Sequence, residues 1–285
     1  MLASTNDVTT QARGCTVCVT MDVDAYSVIL FSGGEANAAA LSRGEFDVRV
    51  GVPRLLDLLA AFDARGTFFV PGHTARCFPE TVAQIAGAGH EIAHHGDVHE
   101  PPARLEPAEE AAALDRGLES LAGCGIRPEG YRAPLWEPSL RTVELLEARG
   151  FAYDSSFMAT DFRPYRPRIG DAVDKNGAWF GRESGLVELP GSWVFDDWSY
   201  FANIPRPGGG GPTPPSQVLE IWTEAIAYAT DGTPGAVVVM TLHPQVSGQG
   251  HVVRALRRLF TQREAGAEFL TMRAAARRAD ARLAR

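Results

Sequence analysis

Short apolar runs alternate with longer stretches of helical period along most of this chain. CTVCVTM, from Cys15 to Met21, reads as a buried strand, with Asp22 and Asp24 following at its C-terminal end. Pro53 opens a helix whose apolar face is Leu55, Leu56, Leu58, Leu59 and Phe62, and Gly66 stops it. TFFV (Thr67–Val70) is the next strand. A helix from about Pro79 to Ala88 follows, then EIAH, which runs into His94, His95 and Gly96. PAEEAAALDRGLESLAG reads as helix, Tyr131-Arg132 as a short strand, PSLRTVELLEARG as helix, and Phe151–Tyr153 as extended chain. From Thr160 to Pro215 the rhythm breaks into a Pro-, Gly- and aromatic-rich insert. It resumes with a helix from Ser216 to about Thr230, the buried strand AVVVMTL (Ala236–Leu242), the helix HVVRALRRLF and a basic helix from Met272.

Repeated strand–helix units predict an α/β fold, a parallel sheet covered by helices. Polar residues gather just after the strands: Asp22 and Asp24, His95 and His99, Arg132, Asp154, His243. In parallel α/β folds the C-terminal strand ends form the ligand face, so these distant residues are expected to meet.

Composition narrows the function classes. The 285 residues carry 27 Lys+Arg against 35 Asp+Glu, a net charge of −8, which argues against sequence-independent nucleic-acid binding. No stretch approaches the roughly 18 apolar residues of a membrane span. Residues 1–14 read as a flexible polar leader without the basic and apolar regions of a secretory signal, so a cytoplasmic protein is expected. Cys15 and Cys18 form a CxxC, but residues three apart on a strand point to opposite faces, and both are expected to be small core thiols.

The histidines carry the first chemistry. On a helical turn, the i,i+4 spacing of His95 and His99 puts both imidazoles on one side. Two imidazoles and a carboxylate, with Asp24 the natural candidate, can hold a divalent metal and leave positions open. His94 is placed beside the pocket or in the packing behind it, because adjacent residues in extended chain point apart. With one aspartate of the D-x-D on the metal, Asp22 is free to act as general base on a metal-bound water. His243 suits a general acid. Arg132 can hold the Asp22 carboxylate, and Asp154 can tune Arg132 or His243 or cap a turn. Trp193, Trp198, Tyr200 and Phe201 are candidates for core, pocket wall or subunit contact. The Gly208–Gly211 run reads as a lid or surface loop, and the C-terminal arginines as a solvated helix face.

These residues resemble the polysaccharide deacetylases with NodB homology, carbohydrate esterase family four. MDVDA resembles the first motif, which implies Asp22 as base and Asp24 as ligand. HGDVH resembles the H-x-x-x-H metal motif, giving His95 and His99. RAPLW resembles the Arg-x-Pro motif, giving Arg132 with Trp136 near the pocket wall, and TLHPQ resembles the Leu-His motif, giving His243 as acid. The fourth motif, an Asp next to Trp, is represented by YDSSF around Asp154. The first motif departs from the family's adjacent Asp pair. GVPRLLDLL, TFFVPG, HEIAHHGDVHE and YRAPLWEPS resemble a branch that includes Helicobacter-type peptidoglycan deacetylase, cyclic imide hydrolases and allantoinase-like members.

The resemblance implies a distorted (β/α) barrel in a single domain over residues 15–285. It implies zinc or another divalent transition metal such as cobalt, nickel or manganese, and a homo-oligomer, often a tetramer, whose insert at about 160–215 helps close the site. The expected activity is hydrolysis of a non-peptide C–N bond in a small amide, cyclic imide or N-acetylated sugar. Action on peptidoglycan or another polysaccharide is the alternative, and a non-catalytic ligand-binding protein of the same fold is the reading from a different class.

Overall fold

The computed structural model describes residues 14–202, 213–262 and 264–284. The leader, apart from Gly14, and the Gly208–Gly211 run lie outside them.

Eight of the twelve strands in the described residues form one parallel sheet. The strands in chain order are β1 (Cys15–Asp22), β2 (Thr67–Val70), β3 (Glu91–His94), β4 (Gly130–Tyr131), β5 (Tyr153–Asp154), the short pieces β6 (Arg168–Ile169), β7 (Ala172–Asp174), β8 (Gly177–Trp179), β9 (Arg182–Glu183) and β10 (Val187–Glu188), then β11 (Val237–Leu242) and β12 (Ala267–Phe269). The sheet runs β10-β5-β4-β3-β2-β1-β11, with β12 also paired to β1. It is a curled half-barrel, the distorted relative of a closed (β/α) barrel.

Every residue of β1 is buried, as a run of eight apolar and small polar residues requires when both faces of the strand are covered. Its two-residue period sorts the core. Val17, Val19 and Met21 pack in one cluster with Leu55, Leu58 and Leu59 of the helix Val52–Ala61. Cys18 faces the other way, into a cluster with Phe69, Ala93, Tyr153 and Val239, and Met272, Ala275 and Ala279 of the C-terminal helix pack there. Cys15 sits in the first cluster and Cys18 in the second, so the CxxC is divided between two faces and both thiols are free and buried. Thr20 and Asp22 share the parity of Cys18, which carries Asp22 to the C-terminal end of the second face.

The insert holds more order than its composition suggests. Beyond two antiparallel pairs, β6 with β9 and β7 with β8, it supplies β10 to one edge of the sheet. At the other edge the Val237 amide donates to the Phe162 carbonyl, and Asp196 makes a parallel bridge with Thr241. The insert therefore spans the gap between the sheet's two edges. Helices Ser27–Phe31, Ala38–Phe46 and Gly72–Cys77, and a single π-helical turn at Asp47–Gly51, are not visible in the apolar pattern. The helix expected from Pro138 starts at Thr142, because Ser139 and Thr142 turn their hydroxyls to Glu110 instead.

Candidate metal centre and active site

Asp22 closes β1, Asp24 lies two residues beyond it, His95 follows β3, Arg132 follows β4, and His243 follows β11. Parallel pairing puts all these ends on one side of the sheet, where they line or underlie one open cleft. Trp136, Trp193, Trp198, Leu135 and Val28 form its apolar walls.

Asp24, His95 and His99 meet. Asp24 Oδ1 lies 3.7 Å from His95 Nε2 and 3.6 Å from His99 Nε2. The turn that brings the histidines together is not helical. Gly96 and His99 both adopt positive φ, 71° and 63°, and the His99 conformation is strained for a residue with a Cβ. Arg76 and Arg116 hold that turn by gripping the Asp97 carboxylate between the two histidines, each at 2.7 Å. His95 Nδ1 lies 2.8 Å from the Arg132 carbonyl, which can only accept, so Nδ1 carries the proton and Nε2 keeps its lone pair toward Asp24. Burial pushes the His95 ring down to about 4 and His99 well below the ordinary histidine range, so both rings are neutral donors.

These residues fit a divalent transition metal. Asp24 Oδ1 is buried with no hydrogen-bond partner among the described residues, a costly state unless something positive occupies the space between it and the imidazoles. Two donors each about 2 Å from a shared ion lie at most about 4 Å apart, which the 3.6 and 3.7 Å separations meet. One carboxylate with two imidazoles is a donor set suited to zinc and its neighbours.

Asp22 stands beside this group with a different environment. Arg132 Nη1 donates to Asp22 Oδ1 at 2.6 Å, and Asp22 Oδ2 lies 3.9 Å from His95 Nε2. Burial would raise this carboxyl, but the Arg132 guanidinium, with His95 and His243, outweighs it and holds Asp22 below the usual carboxylate range. Arg132 is itself fully buried, its guanidinium 4.0 Å above the Phe69 ring and also bonded to Thr20 Oγ1 and Ser155 Oγ.

His243 belongs to a second carboxylate system. Its Nδ1 lies 2.7 Å from Asp197 Oδ1, its backbone amide donates to Asp197 Oδ2, and Ser247 Oγ donates to that same oxygen. Burial alone would lower this imidazole. The Asp197 charge and hydrogen bond, with Asp196 and Asp24 nearby, raise it well above the ordinary range. The bond at Nδ1 leaves Nε2 as the atom free for chemistry.

Two expectations need correction. His94 does not line the cleft: it is fully buried, its Nε2 meets the Leu114 carbonyl, and its Nδ1 accepts from the Gly96 amide. Pointing away from His95, it packs on Tyr131 and Phe151 and braces the turn from behind. Asp154 is not the partner of His243. It accepts from Ser156 Oγ and faces the buried Glu188 of the adjoining strand β10, and it acts on Arg132 only through its charge. The aspartate beside a tryptophan that holds His243 is Asp197, followed by Trp198 whose ring packs on His243. That signal stands in the sequence as DDW at Asp196–Trp198, inside the insert. Of the other aromatics, Trp193 and Trp198 line the cleft, while Tyr200 and Phe201 pack against the core.

Comparison with known proteins places the chain in a family. The family model described as polysaccharide deacetylase matches residues 44–153. The peptidoglycan deacetylase of Helicobacter pylori is 36% identical over 256 residues, covering 85% of this chain and 87% of that protein. A peptidoglycan deacetylase-like protein of Gibberella zeae is 32% identical, covering 93% and 86%. A solved structure from Mycobacterium smegmatis, described as a polysaccharide deacetylase, superimposes with a TM-score of 0.81 at 35% identity, over 98% of this chain and 93% of that one. The PuuE allantoinase shares the fold, with a TM-score of 0.73 at 20% identity over 93% and 90%. Parallel strands that converge on a carboxylate–imidazole cluster, and relatives that match along nearly the whole chain, lead to one conclusion: this chain belongs to the polysaccharide deacetylase family.

Proposed function

We propose that the chain is a metal-dependent hydrolase of non-peptide C–N bonds. The observation that supports this reading is that Asp22 and His243, the candidate base and acid, line one cleft with Asp24, His95 and His99. Asp22 is kept ionised by Arg132, and His243 is kept protonated by Asp197. Two titratable groups pushed in opposite directions around one cavity are the arrangement that proton transfer in both directions requires.

Asp24, His95 and His99 would hold the ion, with zinc the leading candidate. Bound there, a divalent ion acidifies water and polarises the acyl oxygen. Asp22 takes the water's proton at Oδ2, since Oδ1 is occupied by Arg132. The water oxygen bonds to the acyl carbon, and the C–N bond breaks as His243 Nε2 delivers its proton to the departing nitrogen. From an N-acyl amine the products are a carboxylic acid and an amine; from a cyclic imide the product is one ring-opened molecule carrying a carboxylic acid and a carboxamide. Asp197 keeps the ring of His243 oriented throughout.

Two substrate classes compete. The tryptophan walls supplied by Trp136, Trp193 and Trp198, two of them from the insert, favour a small amide or cyclic imide that fits inside the cleft. The peptidoglycan deacetylase activity named for the Helicobacter relative favours an N-acetylated sugar. We also propose that the chain self-associates. The test of function is product analysis by mass spectrometry on metal-analysed protein given N-acetylglucosamine oligomers and cyclic imides. Loss of an acetyl group marks the deacetylase, and gain of one water without fragmentation marks ring opening. A metal-loaded protein that turns over no N-acyl or imide compound overturns the reading in favour of a binding protein.

A further inference from the structure

The Asp24–Ala25 peptide is gripped at both ends by buried side chains from elements that supply no metal donor. The Asp24 carbonyl accepts from Ser27 N, Ser27 Oγ and Thr74 Oγ1, at 2.9, 2.6 and 2.9 Å. On the other side of the same peptide, the Ala25 amide donates to Asp47 Oδ2 at 3.0 Å. Ala25 has φ 47°, a conformation that a residue with a Cβ keeps only when its surroundings impose it. Asp47 and Thr74 are both buried, Asp47 completely.

Asp47 opens the π-helical turn Asp47–Gly51, a bulge that holds one residue more per turn than an α-helix and so re-aims the side chain it carries. The far end of the turn sits against the short helix Pro244–Ser247 that follows His243. A Cβ on Gly51 would stand 2.3 Å from the Pro244 carbonyl oxygen, and one on Gly248 would stand 2.4 Å from Gly51 Cα. One turn of backbone thus touches the loop of the candidate metal carboxylate through Asp47 and the helix after the candidate acid through Gly51.

We infer that Asp47, with Thr74, is a positioning residue for the metal centre: it locks the Ala25 backbone in its left-handed conformation and thereby aims Asp24 at the two imidazoles. The inference rests on the metal-site reading above and adds two residues that neither touch the ion nor enter the cleft. A peptide free to rotate would let the Asp24 side chain swing away from the histidines without unfolding the barrel, so the effect belongs in ion affinity.

The test is zinc affinity by competition with a chromophoric chelator, on the full chain, for Asp47→Ala, Asp47→Asn, Thr74→Val and Thr74→Ser, with Asp24→Ala and Thr67→Val as references. Thr67 is buried at the opposite end of the strands, where its hydroxyl bonds Glu91, so its variant reports destabilisation alone. Asp47→Ala and Thr74→Val are expected to weaken zinc by about tenfold or more. Asp47→Asn and Thr74→Ser, which keep an oxygen for the same bond, should recover most of it, and Thr67→Val should lower Tm without changing affinity. Should Asp47→Ala fail to fold, Thr74→Val carries the test alone. Unchanged zinc affinity in the folded Asp47→Ala or Thr74→Val protein overturns the inference while Asp24→Ala still abolishes binding. Zinc retained by Asp24→Ala overturns the metal-site reading and this inference with it.

Discussion

Asp22 and Asp24 show how two aspartates one residue apart acquire different chemistry. Both are buried and both stand near His95. Asp22 has Arg132 at 2.6 Å, and its charge is sustained by that guanidinium. Among the described residues no Lys or Arg reaches Asp24, and burial holds its carboxyl well above the usual range, which makes its charged form dependent on an ion. The substitution Asp22→Asn separates the two roles. It leaves Asp24, His95 and His99 untouched and keeps an oxygen for Arg132, but removes the only proton acceptor at that position. Metal content measured by mass spectrometry is expected to match the parent protein, while kcat falls by about 10² to 10⁴-fold. Full activity in that variant would rule out the base role. His94 and His95 make the matching point for imidazoles: they are adjacent in sequence, but one braces the turn and the other faces the cleft, because an extended backbone sends neighbours to opposite sides.

The elements that were legible in the sequence are those whose burial comes from a repeating pattern. β1 and β11 are continuous apolar runs, and Val52–Ala61 and Gly250–Thr261 carry apolar residues at helical spacing, so the alternation that builds the parallel sheet could be read directly. The strand-end positions of Asp22, His95, Arg132 and His243 followed from that alternation. Asp197 did not, because it reaches His243 through an insert that crosses from one sheet edge to the other, and no periodicity reports such a crossing. The π-helical turn at Asp47 was hidden for a related reason: its shape is set by contact with the helix Pro244–Ser247, far away in sequence. Short-range pairing between elements also sets a pH response. The His90 ring, just before β3, accepts at Nδ1 from the Gly66 amide, just before β2, and that bond requires a neutral ring. Burial and then the Arg65 charge push His90 down from 6.5 to about 4. The unfolded chain therefore binds the proton first, so the stabilisation is complete above pH 6.5 and is lost as pH falls from 6.5 toward 4. The ring is partly exposed, and solvent screening reduces the effect to on the order of 1 kcal/mol. Urea denaturation at pH 7 and pH 4.5 checks it: His90→Gln should lose less stability between the two than the parent, and parallel losses would refute the coupling.

At the scale of the whole molecule, the insert does two things at once. Its inner part supplies β10, Asp197 and two tryptophans to the barrel mouth. Its outer part, the paired strands β7 and β8 and the residues after them, turns apolar side chains outward: Val173 is 78% exposed, Trp179 55% and Phe180 73%. A chain that can bury such residues gains by doing so, and several exposed apolar side chains on one hairpin are the kind of surface that marks a contact. The hairpin rises from the rim of a groove of about 1210 Å³ lined by Leu140, Met158 and Pro167, with Arg168 and Asp171 at the hairpin's own root. A two-fold axis beside that rim would lay each copy's hairpin into the other's groove, pairing apolar surface with apolar surface in a closed, self-complementary contact. The expected consequence is an oligomer held by the hairpin. Phe180→Asp should shift the molar mass measured by light scattering toward that of one chain, with the folded barrel and its zinc affinity unchanged, since Phe180 contributes nothing to the metal cluster. The same variant at Leu283, an exposed apolar residue on the C-terminal helix, should leave the mass where it was. An unchanged mass in Phe180→Asp would remove the hairpin from the interface and return Trp179 and Phe180 to the ordinary exposed apolar surface of a folded chain.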